Sequence, residues 1–88
     1  MNIEDFNIVE ERLENMSVGL HPVDDDIELL IEFYNQTSIK VLYSTVRKEA
    51  EYLIAYDYDQ SKEISIDIFD IMSITPSFYH YPPRKNDL

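Results

Sequence analysis

The chain has 88 residues, a net charge of −11 and 44% hydrophobic residues. That length makes one domain, because a second core would not fit, and the apolar fraction excludes wholesale disorder. The lack of cysteine excludes disulfides and thiolate metal sites, and the acidic balance argues against nucleic acid or an anionic membrane as a direct partner.

No run approaches the roughly 20 apolar residues of a membrane span. The opening MNIEDF carries acids where a signal peptide carries bases, so a cytoplasmic protein is expected. The charge is polarised. Residues 1 to 36 hold ten acids against Arg12 alone, giving −9; residues 37 to 75 hold seven acids against four bases, giving −3; the remainder holds two bases and Asp87, giving +1. Such a pole attracts a basic partner at long range at low salt.

Ile3, Phe6, Val9, Leu13 and Met16 recur at spacings of three and four, which predicts a helix over 3–17 with one apolar stripe. Asn2 reads as its N-cap, and Gly19 as a left-handed residue closing it. Glu4, Glu10, Glu11 and Glu14 then form an acidic outer side. The segment 20–26, LHPVDDD, reads as an acidic linker.

Alternation of apolar and polar residues predicts strands over 27–34, 39–46, 50–58 and 63–68. Residues 39–54 also fit a helical stripe, but their β-branched and aromatic content favours strands. Register follows from keeping one apolar face throughout. It pairs Phe33 with Ile39, Ile31 with Val41 and Leu29 with Tyr43 across Asn35-Gln36-Thr37. A turn at Lys48-Glu49 pairs Tyr43 with Ile54 and Val41 with Tyr56. A loop at Gln60-Ser61-Lys62 pairs Tyr58 with Ile64, Tyr56 with Ile66 and Ile54 with Ile68. The expected fold is α+β, with the N-terminal helix packed on a four-stranded antiparallel meander.

On the opposite face these registers place Lys40 between Glu32 and Asp57, and gather Leu30, Leu42, Leu53 and Phe69 into an uncovered apolar patch. After Ile68 a short helical turn is expected. Residues 76–88 read as an irregular tail of aromatics and prolines with a disordered polar end.

Little in the chain carries chemistry. Asp57 and Asp59 would share a strand face about 7 Å apart, close enough for a cation or acid–base work, but read better as solvated acids beside a turn. Asp24, Asp25 and Asp26 lack EF-hand spacing, and consecutive acids cannot all face one ion. His21 and His80 have no companions for a triad or a metal site. One glycine cannot build a phosphate loop. No enzyme, cofactor or metal is expected. Tyr43, Tyr52, Tyr56 and Tyr58 are assigned to the core, while Tyr34, Tyr79 and Tyr81 are freer, and the tail with Phe78 either folds over the Leu30, Leu42, Leu53 and Phe69 patch or presents aromatics to a partner.

The leading expectation is a small acidic inhibitor or immunity-type protein, of the size and charge seen among bacterial and phage proteins that imitate nucleic acid. Glu10, Glu11, Glu14, Asp24, Asp25, Asp26 and Glu28 would dock on a basic, nucleic-acid-handling partner such as a nuclease. The alternative is a self-associating structural or adaptor domain, a homodimer using Leu30, Leu42, Leu53 and Phe69 or an exposed strand edge at Ile27 to Tyr34 or Ile64 to Ile68.

Overall fold

The computed structural model describes residues 1–21 and 23–82. The expected disordered polar end, from 83 onward, lies outside the described residues.

Helix α1 spans Ile3–Ser17. Asn2 caps it, its Oδ1 accepting the N–H of Asp5 at 2.8 Å, and Glu4 and Asp5 sit in the first turn where the helix dipole favours acids. Phe6 and Leu13 are buried and Ile3, Val9 and Met16 partly so. Each fully buried side chain contributes roughly 1.5–3 kcal/mol, against a few tenths for an intrinsic propensity, so packing holds α1 in place. The helix ends differently from expectation. Val18 caps it at φ −58°, and Gly19 has no positive φ. The Ser17 hydroxyl donates to the Glu14 carbonyl at 2.7 Å and the Leu20 N–H to the Ser17 carbonyl at 3.1 Å, which gives two carbonyls of the last turn partners without a left-handed residue.

The α+β class is as expected, but two three-stranded antiparallel sheets replace the single meander. The first contains β1 (Asp25–Phe33), β2 (Ser38–Leu42) and β6 (Ile71–His80), in the order β2-β1-β6. The second contains β3 (Arg47–Glu49), β4 (Tyr52–Asp57) and β5 (Lys62–Asp67), in that order. Ile27, Leu29 and Ile31 of β1, Leu53 and Ala55 of β4, and Ile66 of β5 face one core with Phe6 and Leu13.

Asp25 and Asp26, expected in the linker, begin β1. In the β1–β2 hairpin Leu29 faces Val41 and Ile31 faces Ile39, a slip of two residues from the expected pairing. An even slip keeps every side chain on its face. The turn sets it: Gln36 adopts φ 71°, its N–H bonds the Phe33 carbonyl at 3.0 Å, and the Phe33 N–H bonds the Thr37 carbonyl at 2.9 Å. This is the geometry of a three-residue loop ending in a left-handed position.

The expected strand 39–46 is broken. Residues Tyr43–Thr45 form a 3-10 turn, and the chain passes through it from the first sheet to the second. The next turn falls at Ala50-Glu51, not Lys48-Glu49, with Ala50 at φ 54°, so Ile54 faces Arg47 and Leu53 faces Lys48. Between β4 and β5 Leu53 faces Ile66 and Ala55 faces Ile64. That slip is odd, so it exchanges the faces: Leu53 and Ala55 turn into the core, and Tyr52 and Tyr58, expected inside, are exposed. The β1–β2 slip sets Lys40 opposite Leu30, and β2 does not pair with β4, so Lys40 does not stand between Glu32 and Asp57.

The short helical turn after Asp67 is a 3-10 turn at Ile68–Asp70. Residues 76–80, expected in an irregular tail, instead complete β6, which pairs with β1 from Asp25–His80 to Phe33–Ile71, with an irregularity at Glu32/Phe33. Pro76 fits because β6 is an edge strand. The Tyr81 N–H bonds the Asp24 carbonyl at 2.7 Å, and bonded pairs alternate along an antiparallel ladder, so the Leu29–Pro76 pair falls where no N–H is needed. β1 lies between β2 and β6 and is therefore not an edge, contrary to one expectation for self-association.

Candidate functional site

The acids expected to form one docking surface are distributed between three environments. Glu11 and Glu14 are exposed on α1, with Glu10 partly covered. Glu10 and Glu14 share a crevice of about 110 Å³ with Tyr43, Arg47 and Lys48. Burial, helped by these two carboxylates, raises the Tyr43 hydroxyl above its ordinary pKa. Arg47 makes a forked pair with Glu63 at 2.9 and 3.1 Å and reaches Glu49 at 3.1 Å, all at the surface.

The three consecutive aspartates have three different surroundings. Asp24 is exposed and lies 3.2 Å from His21 Nδ1. Asp25 accepts the His21 N–H at 3.0 Å and lies 2.8 Å from His80 Nδ1; the bond to His80, followed by that to His21, holds its carboxyl below the ordinary value. Asp26 is only 3% exposed and cannot meet a partner. Its Oδ1 accepts the N–H groups of Ile27 at 2.8 Å and Ser44 at 3.2 Å, and its Oδ2 accepts the hydroxyls of Ser44 at 2.5 Å and Tyr81 at 2.7 Å. One carboxylate therefore fixes the 3-10 turn after β2 and the end of β6 against β1. Four donors compensate the loss of water around this charge.

Asp57 is also buried. Its Oδ1 accepts the N–H groups of Asp59 at 3.0 Å and Gln60 at 3.3 Å, which caps the β4–β5 turn. It is a turn residue, not half of a carboxylate pair. No buried side-chain polar atom among the described residues lacks a partner. Among those residues no three His, Asp or Glu side chains are grouped to hold a metal ion, and no helix is long and apolar enough to cross a membrane.

The expected patch does not assemble. Leu53 is 2% exposed in the core and Leu42 is buried, whereas Phe69 is exposed in the second 3-10 turn and Leu30 is half-buried. What occupies the outer face of the first sheet is a groove of about 430 Å³ lined by Tyr58, Tyr79, Tyr81 and Leu42, with Glu28, Lys40 and Asp59. The register explains most of it. Asp26, Glu28 and Leu30 alternate on one face of β1; Tyr79 stands across from Asp26, and Leu42 across from Glu28. Tyr81 follows two residues after Tyr79, and the β4–β5 turn brings in Tyr58 and Asp59.

Comparison of the chain with protein-family models, with curated proteins and with solved structures finds no match. The site therefore has to be argued from its own geometry. The rings are held in fixed relation: Tyr79 and Tyr81 meet edge to face at 5.2 Å, and Tyr56 supports Tyr58 in the same way at 4.7 Å. The bond to Asp26, then burial, raises the Tyr81 hydroxyl above its ordinary pKa. The sequence singled out Tyr79 and Tyr81 as free aromatics and Glu28 as a docking acid. It did not bring them together with Tyr58, because that depends on the turn capped by Asp57 and on a bond between residues 55 positions apart.

Proposed function

We propose that this chain is a non-enzymatic binding protein of the inhibitor or immunity type. It docks its acidic surface on a basic partner that handles nucleic acid. The observation that carries this reading is the state of the α1 acids. Glu4, Glu11 and Glu14 are exposed, and among the described residues none lies within ion-pair distance of a lysine or arginine. An acidic side without close ion pairs, even where Glu14 shares a crevice with Arg47 and Lys48, steers a basic partner and occupies the surface on which that partner would hold phosphates. Asp24 is exposed as well, beside His21, while Asp25 and Asp26 are engaged within the fold.

The test is affinity capture followed by competition. The captured partner should be a basic nucleic-acid-handling protein, should be released as salt is raised, and should be displaced by duplex DNA or RNA. A partner retained equally at high salt and in excess nucleic acid would overturn the reading.

A second reading, self-association, is favoured by the outer edge of β6. Phe78 is 69% exposed on this ten-residue edge strand, and the alternation set by the Tyr81–Asp24 bond turns the N–H groups of Ile74 and Phe78 away from β1, toward the open edge. It predicts a mass by light scattering that rises with concentration and falls with Phe78→Glu; a monomer at high concentration would reject it.

A further inference from the structure

We propose that the groove between Tyr58, Tyr79 and Tyr81 receives a single arginine side chain of a basic partner, an assignment that rests on the acidic-docking reading and names its anchor point. The lining carries two carboxylates, Glu28 and Asp59, against the one ammonium of Lys40, and the buried carboxylate of Asp26 lies directly behind the Tyr81 hydroxyl. A cation entering the groove meets net negative charge and aromatic faces together. Ring faces attract cations through their quadrupole, and the guanidinium, planar and weakly hydrated, is the biological cation that stacks on rings while forking to a carboxylate. An ammonium is a compact, strongly hydrated charge that also sits over rings, as Lys48 does over Phe6 at 5.7 Å, but it has no plane to stack and no fork to offer a carboxylate at the same time.

The site is also built before any ligand arrives. Edge-to-face packing fixes Tyr79 on Tyr81 and Tyr58 on Tyr56, and Asp26 pins Tyr81 from below. The rings need little further ordering on binding, which lowers the entropic cost of a small contact. The volume, about 430 Å³, is at the lower end of ligand pockets and suits one long side chain entering from outside. Tyr58, 56% exposed, leaves the groove open to a macromolecular surface.

The experiment is an NMR titration of the full chain with the peptide acetyl-Gly-Ser-Arg-Ser-Gly-amide, set beside the same peptide carrying lysine, trimethyl-lysine or citrulline in place of arginine. The arginine peptide should give saturable shifts centred on Leu42, Tyr58 and Tyr79 with a Kd on the order of 1 mM. Lysine should bind roughly threefold or more weakly, and citrulline, which has the shape without the charge, should not bind. Tyr58→Ala and Glu28→Gln should each weaken the arginine peptide by roughly threefold to tenfold. Lys40→Ala should tighten it, because it removes the one opposing charge. Tyr58 is exposed and, among the described residues, the Glu28 side chain makes no hydrogen bond, so both variants can be checked for an unchanged fold by their remaining shifts.

Absence of shifts with the arginine peptide, tighter binding of lysine or trimethyl-lysine, or weaker binding by Lys40→Ala would each overturn the assignment. The two proposals fail separately. If salt-sensitive capture of a basic partner persists unaltered in Tyr58→Ala while the peptide does not bind, the groove assignment falls and the docking reading stands. If the peptide binds but no salt-sensitive partner is captured, the groove keeps its ligand class and the docking reading falls.

Discussion

The acids of α1 and the acids of the strands are alike in the sequence and unlike in the molecule. On α1 the helical period turns Glu4, Glu11 and Glu14 outward while Phe6 and Leu13 point inward, so its carboxylates stay in water. On β1 and β4 the period of two places Asp26 and Asp57 where a turn closes over them, and each becomes an acceptor for backbone and hydroxyl donors. A count of charges describes the long-range field; the hydrogen-bond partners decide which charges a partner can reach. Of the seven acids grouped by the sequence as a docking surface, Asp26 is removed from it and Asp25 is turned toward His80.

The difference can be broken at Asp26. Replacing it with alanine takes the acceptor from the Ser44 N–H and hydroxyl and from the Tyr81 hydroxyl, in part-buried bonds, and should lower unfolding stability in urea by about 2–3 kcal/mol, releasing the end of β6. Asp57→Ala removes two bonds in one turn and should cost about 1–2 kcal/mol, with hydrogen exchange rising first at Asp59 and Gln60. Asp25 comes next, through pH. Its folded carboxyl lies below the unfolded value, so its contribution is present above that value and is lost as pH falls through the folded one. Thermal melts from roughly pH 5 to pH 2.5 should therefore show a shallower acid decline for Asp25→Asn than for the native chain. Glu11→Gln should change stability by no more than about 0.5 kcal/mol in the same urea assay, and should do so upward if self-repulsion dominates. A cost above 1–2 kcal/mol at Glu11 would mean that the helix acids too are engaged within the fold.

The parts of the fold legible in the sequence are those fixed locally. Helix α1 is determined by its apolar spacing and the Asn2 cap. β1 reads cleanly because β2 and β6 flank it: Ile27, Leu29 and Ile31 are fully buried, while Glu28, Leu30 and Glu32 on the other face stay partly exposed. The β1–β2 slip was invisible but harmless, since a shift of two preserves the faces. The second sheet was not legible because Leu53, Ile54 and Ala55 are all buried in succession, and alternation cannot choose between faces in such a run. The choice is made by the Asp57 cap and by Ser61 at φ 52°. The bend at Tyr43–Thr45 depends on Asp26, and β6 was concealed by Pro76, whose position is acceptable only on an edge. The candidate groove inherits all of these: its tyrosines come from β6 and from the β4–β5 turn, the two regions for which local pattern was least informative.

The docking account depends most directly on how association responds to the α1 acids. Stopped-flow association of the captured basic partner should be measured across salt for the native chain and for a triple variant, Glu4→Gln, Glu11→Gln and Glu14→Gln. The account predicts an association rate that falls steeply with salt in the native chain, a rate about tenfold lower with a flatter salt dependence in the variant, and a dissociation rate little changed. Equal association rates for the two proteins at low salt would contradict it.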